Sequence, residues 1–409
     1  MTITQSQKKI QKIPRIRFPE FSGAIEMKSL RDIFEKKQER NSDNKEKHVL
    51  TNSAVEGIVN QQDYFDKDIA NKDNLTNYYV VDIDDFIYNP RISKTAPVGP
   101  FKRNNLQKGI MSPLYTVLKP KAGDLSFLEH YFQTRCWHRY MFKIANYGAR
   151  HDRMNILQGD FMKLPIPFPS VPEQQKVSSF INSANEWIVN VQSQKENLIE
   201  YKKGIMQKIF SQEIRFKDDG GKNFPQWEEK KLEEILKERK EYSTKGKGYP
   251  HISLTTQGVV PKSERYNRDF LVGDDEIKGY KITRLNDLCY NPANLKFGVI
   301  SINKLGAGIF SPIYVTFEII GQNIDFVGYY LIRNEFINKA RRYEQGTVYE
   351  RMAVSPADFV KVKVAFPSLP EQQKIADFLI SLDKAIEAKQ QQIILAEKWK
   401  KGLMQGLFI

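Results

Sequence analysis

Two stretches of this chain carry the same hydrophobic pattern. From Val177, apolar residues recur by sevens at Ala184, Val191, Leu198 and Ile205, with a second row at Phe180/Ile181, Trp187/Ile188, Tyr201 and Ile209. The pattern returns as Ile375, Leu382, Ala396 and Leu403, with Phe378/Leu379, Ile386, Ile393, Trp399 and Leu407. Heptad spacing lays one apolar stripe along a helix and predicts a helix–helix seam. Gln194, Lys195 and Lys389 interrupt the stripe, so a polar middle is expected. Both stretches open with Ser-x-Pro-Glu (Ser170 to Glu173, Ser368 to Glu371), the spacing of a capping box with proline where a helix tolerates it. Each helix of about 40 residues would be a rod of about 60 Å.

The intervening stretches are less regular. Tyr78–Ile83, Tyr115–Leu118, Ile313–Phe317 and Val360–Val364 alternate like strands, whereas Leu125–Ile144 and Asp325–Arg342 read as helices. The expected fold is α+β: two mixed α/β lobes joined by two long helices packed as an antiparallel coiled coil. The expected boundaries are residues 1–165 for the first lobe, 166–213 for the first helix, 214–363 for the second lobe and 364–409 for the second helix.

The halves are copies of one plan, an internal pseudo-twofold repeat. Phe168-Pro-Ser-Val-Pro-Glu-Gln-Gln-Lys176 returns 198 residues later as Phe366-Pro-Ser-Leu-Pro-Glu-Gln-Gln-Lys374. Tyr201-Lys-Lys-Gly-Ile-Met-Gln returns as Trp399-Lys-Lys-Gly-Leu-Met-Gln at the same spacing. Tyr88-Asn-Pro90 matches Tyr290-Asn-Pro292, and Phe18-Pro-Glu-Phe21 resembles Phe224-Pro-Gln-Trp227. A chain of 409 residues suits two to three domains.

Charge narrows the function. A net charge of +14 attracts polyanions, above all nucleic acid. Cys136 and Cys289 are the only cysteines and, with five scattered histidines, form no zinc-ligand spacing. The polar, basic N-terminus is not a signal peptide, and no apolar run reaches the length of a membrane span, so a reduced cytoplasmic setting is expected.

No catalytic motif stands out. The Tyr-Asn-Pro pair lacks the second proline and the glycine-rich loop of adenine methyltransferases and reads as strand-end turns. There is no Walker A loop and no Gly-x-Ser-x-Gly elbow. Basic and aromatic residues instead interleave late in each lobe. Candidate DNA contacts there are Arg135, Arg139, Arg150 and Arg153, then Arg341, Arg342, Gln345, Thr347, Tyr349 and Arg351. Earlier loops add Lys102 and Arg103 in the first lobe, and Lys245, Lys247 and Thr256 in the second. On the helices, Glu173, Gln174, Trp187, Tyr201, Glu371, Gln372 and Trp399 are candidates for docking a partner.

Two basic lobes, each closed by Pro-x-x-Glu-Gln-Gln-Lys and a near-identical helix, resemble the specificity subunit of type I restriction–modification systems. The resemblance covers nearly the whole chain. It implies lobes that are target recognition domains, each reading half of a bipartite double-stranded DNA site, and helices that are spacers. It also implies two modification (methyltransferase) subunits and restriction (translocase and nuclease) subunits as partners. S-adenosylmethionine, ATP and Mg would then sit on those partners, with no catalysis and no cofactor on this chain. A tandem RNA-binding module with a coiled-coil arm, or an enzyme with its site in a lobe, are the alternatives.

Overall fold

The computed structural model describes residues 13–64, 75–146, 152–243, 248–262, 279–346 and 352–409. The chain forms two compact units, and their division is not the linear one. Unit 1 is Met1–Ser193 with Gln390–Ile409, and unit 2 is Gln194–Lys389. The long helices, Val171–Phe210 and Leu369–Leu407, each give one half to either unit. Each unit is therefore a lobe, the start of one helix and the end of the other.

In unit 1 a four-stranded antiparallel sheet has the order Phe34–Lys37, Thr116–Pro120, Phe86–Tyr88, Phe101–Arg103. Helix Leu125–Gln133 covers it, capped by Asp124, whose carboxylate accepts from Phe127 N. The expected single helix to Ile144 is broken. Thr134 Oγ1 bonds Tyr131 O, the chain turns so that Trp137 is buried, and a second helix runs His138–Ile144. Unit 2 repeats this with strands Leu236–Glu238, Val315–Ile319, Leu288–Tyr290 and Ile300–Ile302. Its helices are Ile324–Leu331, capped by Asn323, and Asn334–Arg341, so the span expected as one helix is again two. The strand expected at Val360–Val364 lies at Lys363–Phe366, because Pro356–Phe359 forms a helical turn that buries Phe359.

Each core draws on both helices. In unit 1 Val177 and Ile181, near the start of the first helix, and Met404, Leu407 and Phe408, at the end of the second, join Phe34, Phe86, Phe101 and Phe132. In unit 2 Ile375 and Leu379 play the first part, and Ile209 and Phe210 the second. The heptad prediction holds at the buried Val177, Ala184, Val191, Ile375, Leu382 and Ala396. Within each unit the helix segments run antiparallel. Lys400 Nζ reaches Asn185 Oδ1 (2.9 Å) in unit 1, and Lys389 Nζ reaches Gln194 Oε1 (2.7 Å) in unit 2, where the stripe was expected to be polar.

The expected capping boxes do not form. Glu173 turns from its own helix start to Arg17, which grips both carboxylate oxygens at 2.7 and 2.8 Å. Glu371 does the same with Arg215, at 3.1 and 2.7 Å. A bidentate guanidinium outcompetes one backbone N–H for a buried carboxylate. Ile16 N bonds Gly406 O at 2.9 Å, and Ile214 N bonds Lys208 O at 3.1 Å, so the strap carrying each arginine is fixed to a helix end. Ile-Arg-Phe at 16–18 and 214–216 is the true partner motif, 198 residues apart like the helices. The Phe-Pro turns are not its equivalents: Arg215 bonds the carbonyls of Phe224 and Pro225, whereas Arg17 bonds that of Gly23.

Candidate nucleic-acid interface

In unit 2 one edge gathers polar and basic groups on held backbone. The hairpin Ile252–Thr255/Gly258–Pro261 turns through Thr256 and Gln257, both exposed. Thr255 Oγ1 donates to Gly258 O and accepts from Gln257 N, each at 3.1 Å, which stiffens the tip. Gly258, at φ 107°, lies against Ser301, where a Cβ would come within 3.2 Å of the hydroxyl. After Tyr290-Asn-Pro292 a 3-10 turn, Leu295–Phe297, buries Leu295 and exposes Lys296 and Phe297. It packs on helix Asn334–Arg341, whose buried face is Phe336, Ile337 and Ala340 and whose outer face carries Lys339. Arg342 follows it, exposed.

The other candidates in this unit divide. Arg341 is held by Glu344 at 2.9 Å. Gln345 donates to Asp358 at 2.8 Å and pairs its backbone with Ala353, so it braces the strand exit. Lys361 first, and Ser355 second, hold the Asp358 carboxyl below the usual range. Lys245, Lys247, Thr347, Tyr349 and Arg351 lie outside the described residues, as does Arg150 in unit 1.

Unit 1 builds the same edge from different chemistry. Its hairpin, Leu50–Ser53/Gly57–Asn60, turns through Ala54, Val55 and Glu56, held by Ser53 Oγ accepting from Val55 N and Glu56 N. Lys102 stands where unit 2 has Ser301, and burial lowers its pKa against the pull of Glu129. Arg103 is engaged by Asp84 at 2.9 Å and faces Glu129 at 3.5 Å. The turn after Tyr88-Asn-Pro90 exposes Arg91 and Lys94, and Arg153 joins it through a backbone bridge to Arg91. Arg153 contacts Asp152 only at 3.4 Å. Arg135 and Arg139 are exposed, the latter on helix His138–Ile144 beside Lys143. Arg91, absent from the sequence candidates, follows the Tyr-Asn-Pro motif. Both tyrosines of that motif are internal, donating to Val98 O and Val354 O.

Of the helix candidates, Glu173, Gln174, Glu371 and Gln372 are buried and turned inward. Gln174 accepts from Asp124 N and donates to Pro169 O, both at 2.8 Å. Gln372 accepts from Asn323 N at 3.0 Å and donates to Pro367 O at 2.9 Å. They join lobe to helix and leave no side chain for a partner. Trp187, Tyr201 and Trp399 are exposed. In unit 1 Phe180, Trp187, Leu395 and Trp399 line an apolar groove of about 570 Å³ between the helix segments.

Among the described residues no cluster of His, Cys, Asp and Glu could hold a metal ion, and no helix is long and apolar enough to cross a membrane. Cys289 is fully buried, its thiol pushed up to about 12 by burial.

Comparison with known proteins converges on one family. Residues 225–397 match the model of the type I restriction modification DNA specificity domain. A putative type I restriction enzyme MjaX specificity subunit of Methanocaldococcus jannaschii is 26% identical over 303 residues, covering 69% of this chain and 66% of the relative. The MjaVIII specificity subunit of that organism is 24% identical over 329 residues, covering 74% of each. The fold is shared with a chain of a solved type I R-M system (TM-score 0.55, 14% identity, 93% and 96% covered). It is also shared with the HsdS subunit of Thermoanaerobacter tengcongensis (TM-score 0.51, 14% identity, 94% and 96% covered). The RNA-binding alternative has no support among these. The duplicated lobe-and-helix plan and the matched domain agree: residues 225–397 carry a type I restriction modification DNA specificity domain, and the chain as a whole is similar to type I restriction enzyme specificity subunits.

Proposed function

We propose that each lobe reads one half of a bipartite duplex DNA site and that the two long helices set the unread gap between the halves. The observation that carries this is unequal divergence. The Arg–Glu clamps and helix starts repeat almost residue for residue, while the hairpin tips and strand-end turns differ: Thr256-Gln257 against Ala54-Val55-Glu56, and Ala293 against Arg91. Hydroxyls and amides bond base edges, and Arg91, Lys94, Arg139, Lys296, Lys339 and Arg342 neutralise phosphates. Binding therefore weakens steeply with salt.

The chain in this reading is non-catalytic and works in the cytoplasm. Two modification subunits dock on the helices, bringing S-adenosylmethionine, and restriction subunits bring ATP and Mg. The apolar groove at Trp187 and Trp399 suits a helix laid along the seam. Lengthening both helices by four residues would add about 6 Å, roughly two base pairs, to the gap. Methylome sequencing of a host carrying the assembly tests the whole. Replacing residues 1–165 with another lobe should rewrite one half-site only, and rewriting of both halves would overturn the modular reading.

A further inference from the structure

One surface feature repeats in both lobes although it is neither core nor clamp. In lobe one the turn Asp82 to Asp85 is closed by Asp85 N on Asp82 O at 3.3 Å. The buried Asp85 carboxylate accepts from Asp82 N at 2.8 Å and from Lys37 at 3.1 Å. In lobe two Asp287 N bonds Arg284 O at 3.2 Å, and its carboxylate accepts from Arg284 N at 2.8 Å and from Arg239 at 2.8 and 3.0 Å. A fully buried asparagine bolts a second turn to each. Asn104 Nδ2 donates to Asp82 O and Gln107 O, both at 2.8 Å, and Asn303 Nδ2 donates to Arg284 O at 2.9 Å and Gly306 O at 2.7 Å. Asp84 and Asn286, third in the first turns, sit at φ 73° and 69°, the left-handed conformation that aspartate and asparagine tolerate best after glycine.

What this frame holds out is an apolar pair. Ile83 is 58% and Leu106 46% exposed, and their counterparts Leu285 and Leu305 are 57% and 50% exposed. The charges around each pair are already matched: Arg103 with Asp84 and Lys108 with Asp82 in lobe one, Arg284 with Glu241 and Lys304 with Asp325 in lobe two. In a chain of +14 net charge, a patch ringed by neutralised cations offers phosphates little. A surface that reads sequence would differ between lobes, as the hairpin tips do. A surface kept the same in both fits something present twice.

We infer that Ile83 with Leu106, and Leu285 with Leu305, are matching docks for an apolar, uncharged face of the modification subunit, one copy per lobe. This rests on the proposed reading that two copies of that subunit assemble on the chain. The test uses the full chain and the modification subunit of the same system, counted by native mass spectrometry and titrated by fluorescence anisotropy. Ile83→Asp/Leu106→Asp should weaken one of two binding events by about tenfold or more. Adding Leu285→Asp/Leu305→Asp should weaken both, with duplex DNA binding by the chain alone unchanged. The milder serine versions, with melting curves like the parent, guard against misfolding and should act in the same direction. Two copies bound with unaltered affinity by both quadruple variants would overturn the dock and leave the subunit reading standing. Loss of DNA binding instead would make the patch part of the nucleic-acid surface. A parent chain that binds no modification subunit would overturn both.

Discussion

Unit 1 and unit 2 are the same machine with different fittings, and where they differ separates scaffold from address. The clamps Arg17–Glu173 and Arg215–Glu371 are equivalent in partner, geometry and burial. One step outward the chemistry diverges. The lobe helix is tied to the long helix by His130 on Asn182 in unit 1 and by Tyr329 on Asp383 in unit 2. The cross-helix lysine meets an amide, Asn185, in unit 1 and a carboxylate, Asp383, in unit 2. The groove of Trp187, Leu395 and Trp399 has Ala385, Asn197 and Tyr201 at the matching positions of unit 2. Parts that close the core cannot vary without loss of fold. Parts that only tie surfaces together can exchange one bond for another of similar strength.

The largest expected effect is one in which the units should agree. Glu173→Ala and Glu371→Ala each leave a half-buried guanidinium without its carboxylate and should destabilise their own unit by about 3–5 kcal/mol. Urea unfolding followed by hydrogen exchange checks this, and a large inequality would break the equivalence. A glycine pair should disagree. Gly99 and Gly298 share a left-handed φ, but a Cβ on Gly99 would sit 2.0 Å from Asn89 O, whereas one on Gly298 meets nothing. Gly99→Ala should cost about 3 kcal/mol or more and Gly298→Ala about 1, read from paired melting curves.

Acid should distinguish the units next. Burial holds the His130 pKa below its ordinary 6.5, against the opposing hydrogen bond that its ring donates to Asn182 Oδ1. A lowered value means that folding favours the neutral ring. Its stabilising contribution is therefore complete above about pH 6.5 and lost as pH falls through the lowered folded value. Exchange protection around helix Leu125–Gln133 should drop as pH falls below about 6.5, that around Ile324–Leu331 should hold, and His130→Gln should remove the difference. The smallest effect belongs to Asp383→Asn, which makes unit 2 resemble unit 1 at a partly exposed pair. A loss of about 0.5–1 kcal/mol, shrinking with salt, is expected in thermal melts.

The long helices were legible because heptad spacing encodes which face is buried, whatever the partner. The lobe helices were legible as helical but not as broken. Nothing in Leu125–Ile144 forbids a continuous helix, and the bend follows from Trp137 seeking the sheet's aromatic core. The candidate interface was half legible. Exposed Arg139, Arg342 and Thr256 stand where charge and hydroxyls were expected. Arg103, Arg341 and Gln345 have internal partners, and a basic residue's spacing does not reveal the acid that will meet it in space.

The residue order alone determined the duplication, the two rods, the basic balance and the resemblance to type I specificity subunits, since all rest on local or periodic properties. It could not tell that Glu173 and Glu371 would abandon their own helix starts for arginines 156 residues away. It also hid that Ile16 would bond Gly406, 390 residues later, within unit 1. Those outcomes belong to folding in three dimensions, where burial makes a bidentate ion pair stronger than a local cap and sets sequence distance aside.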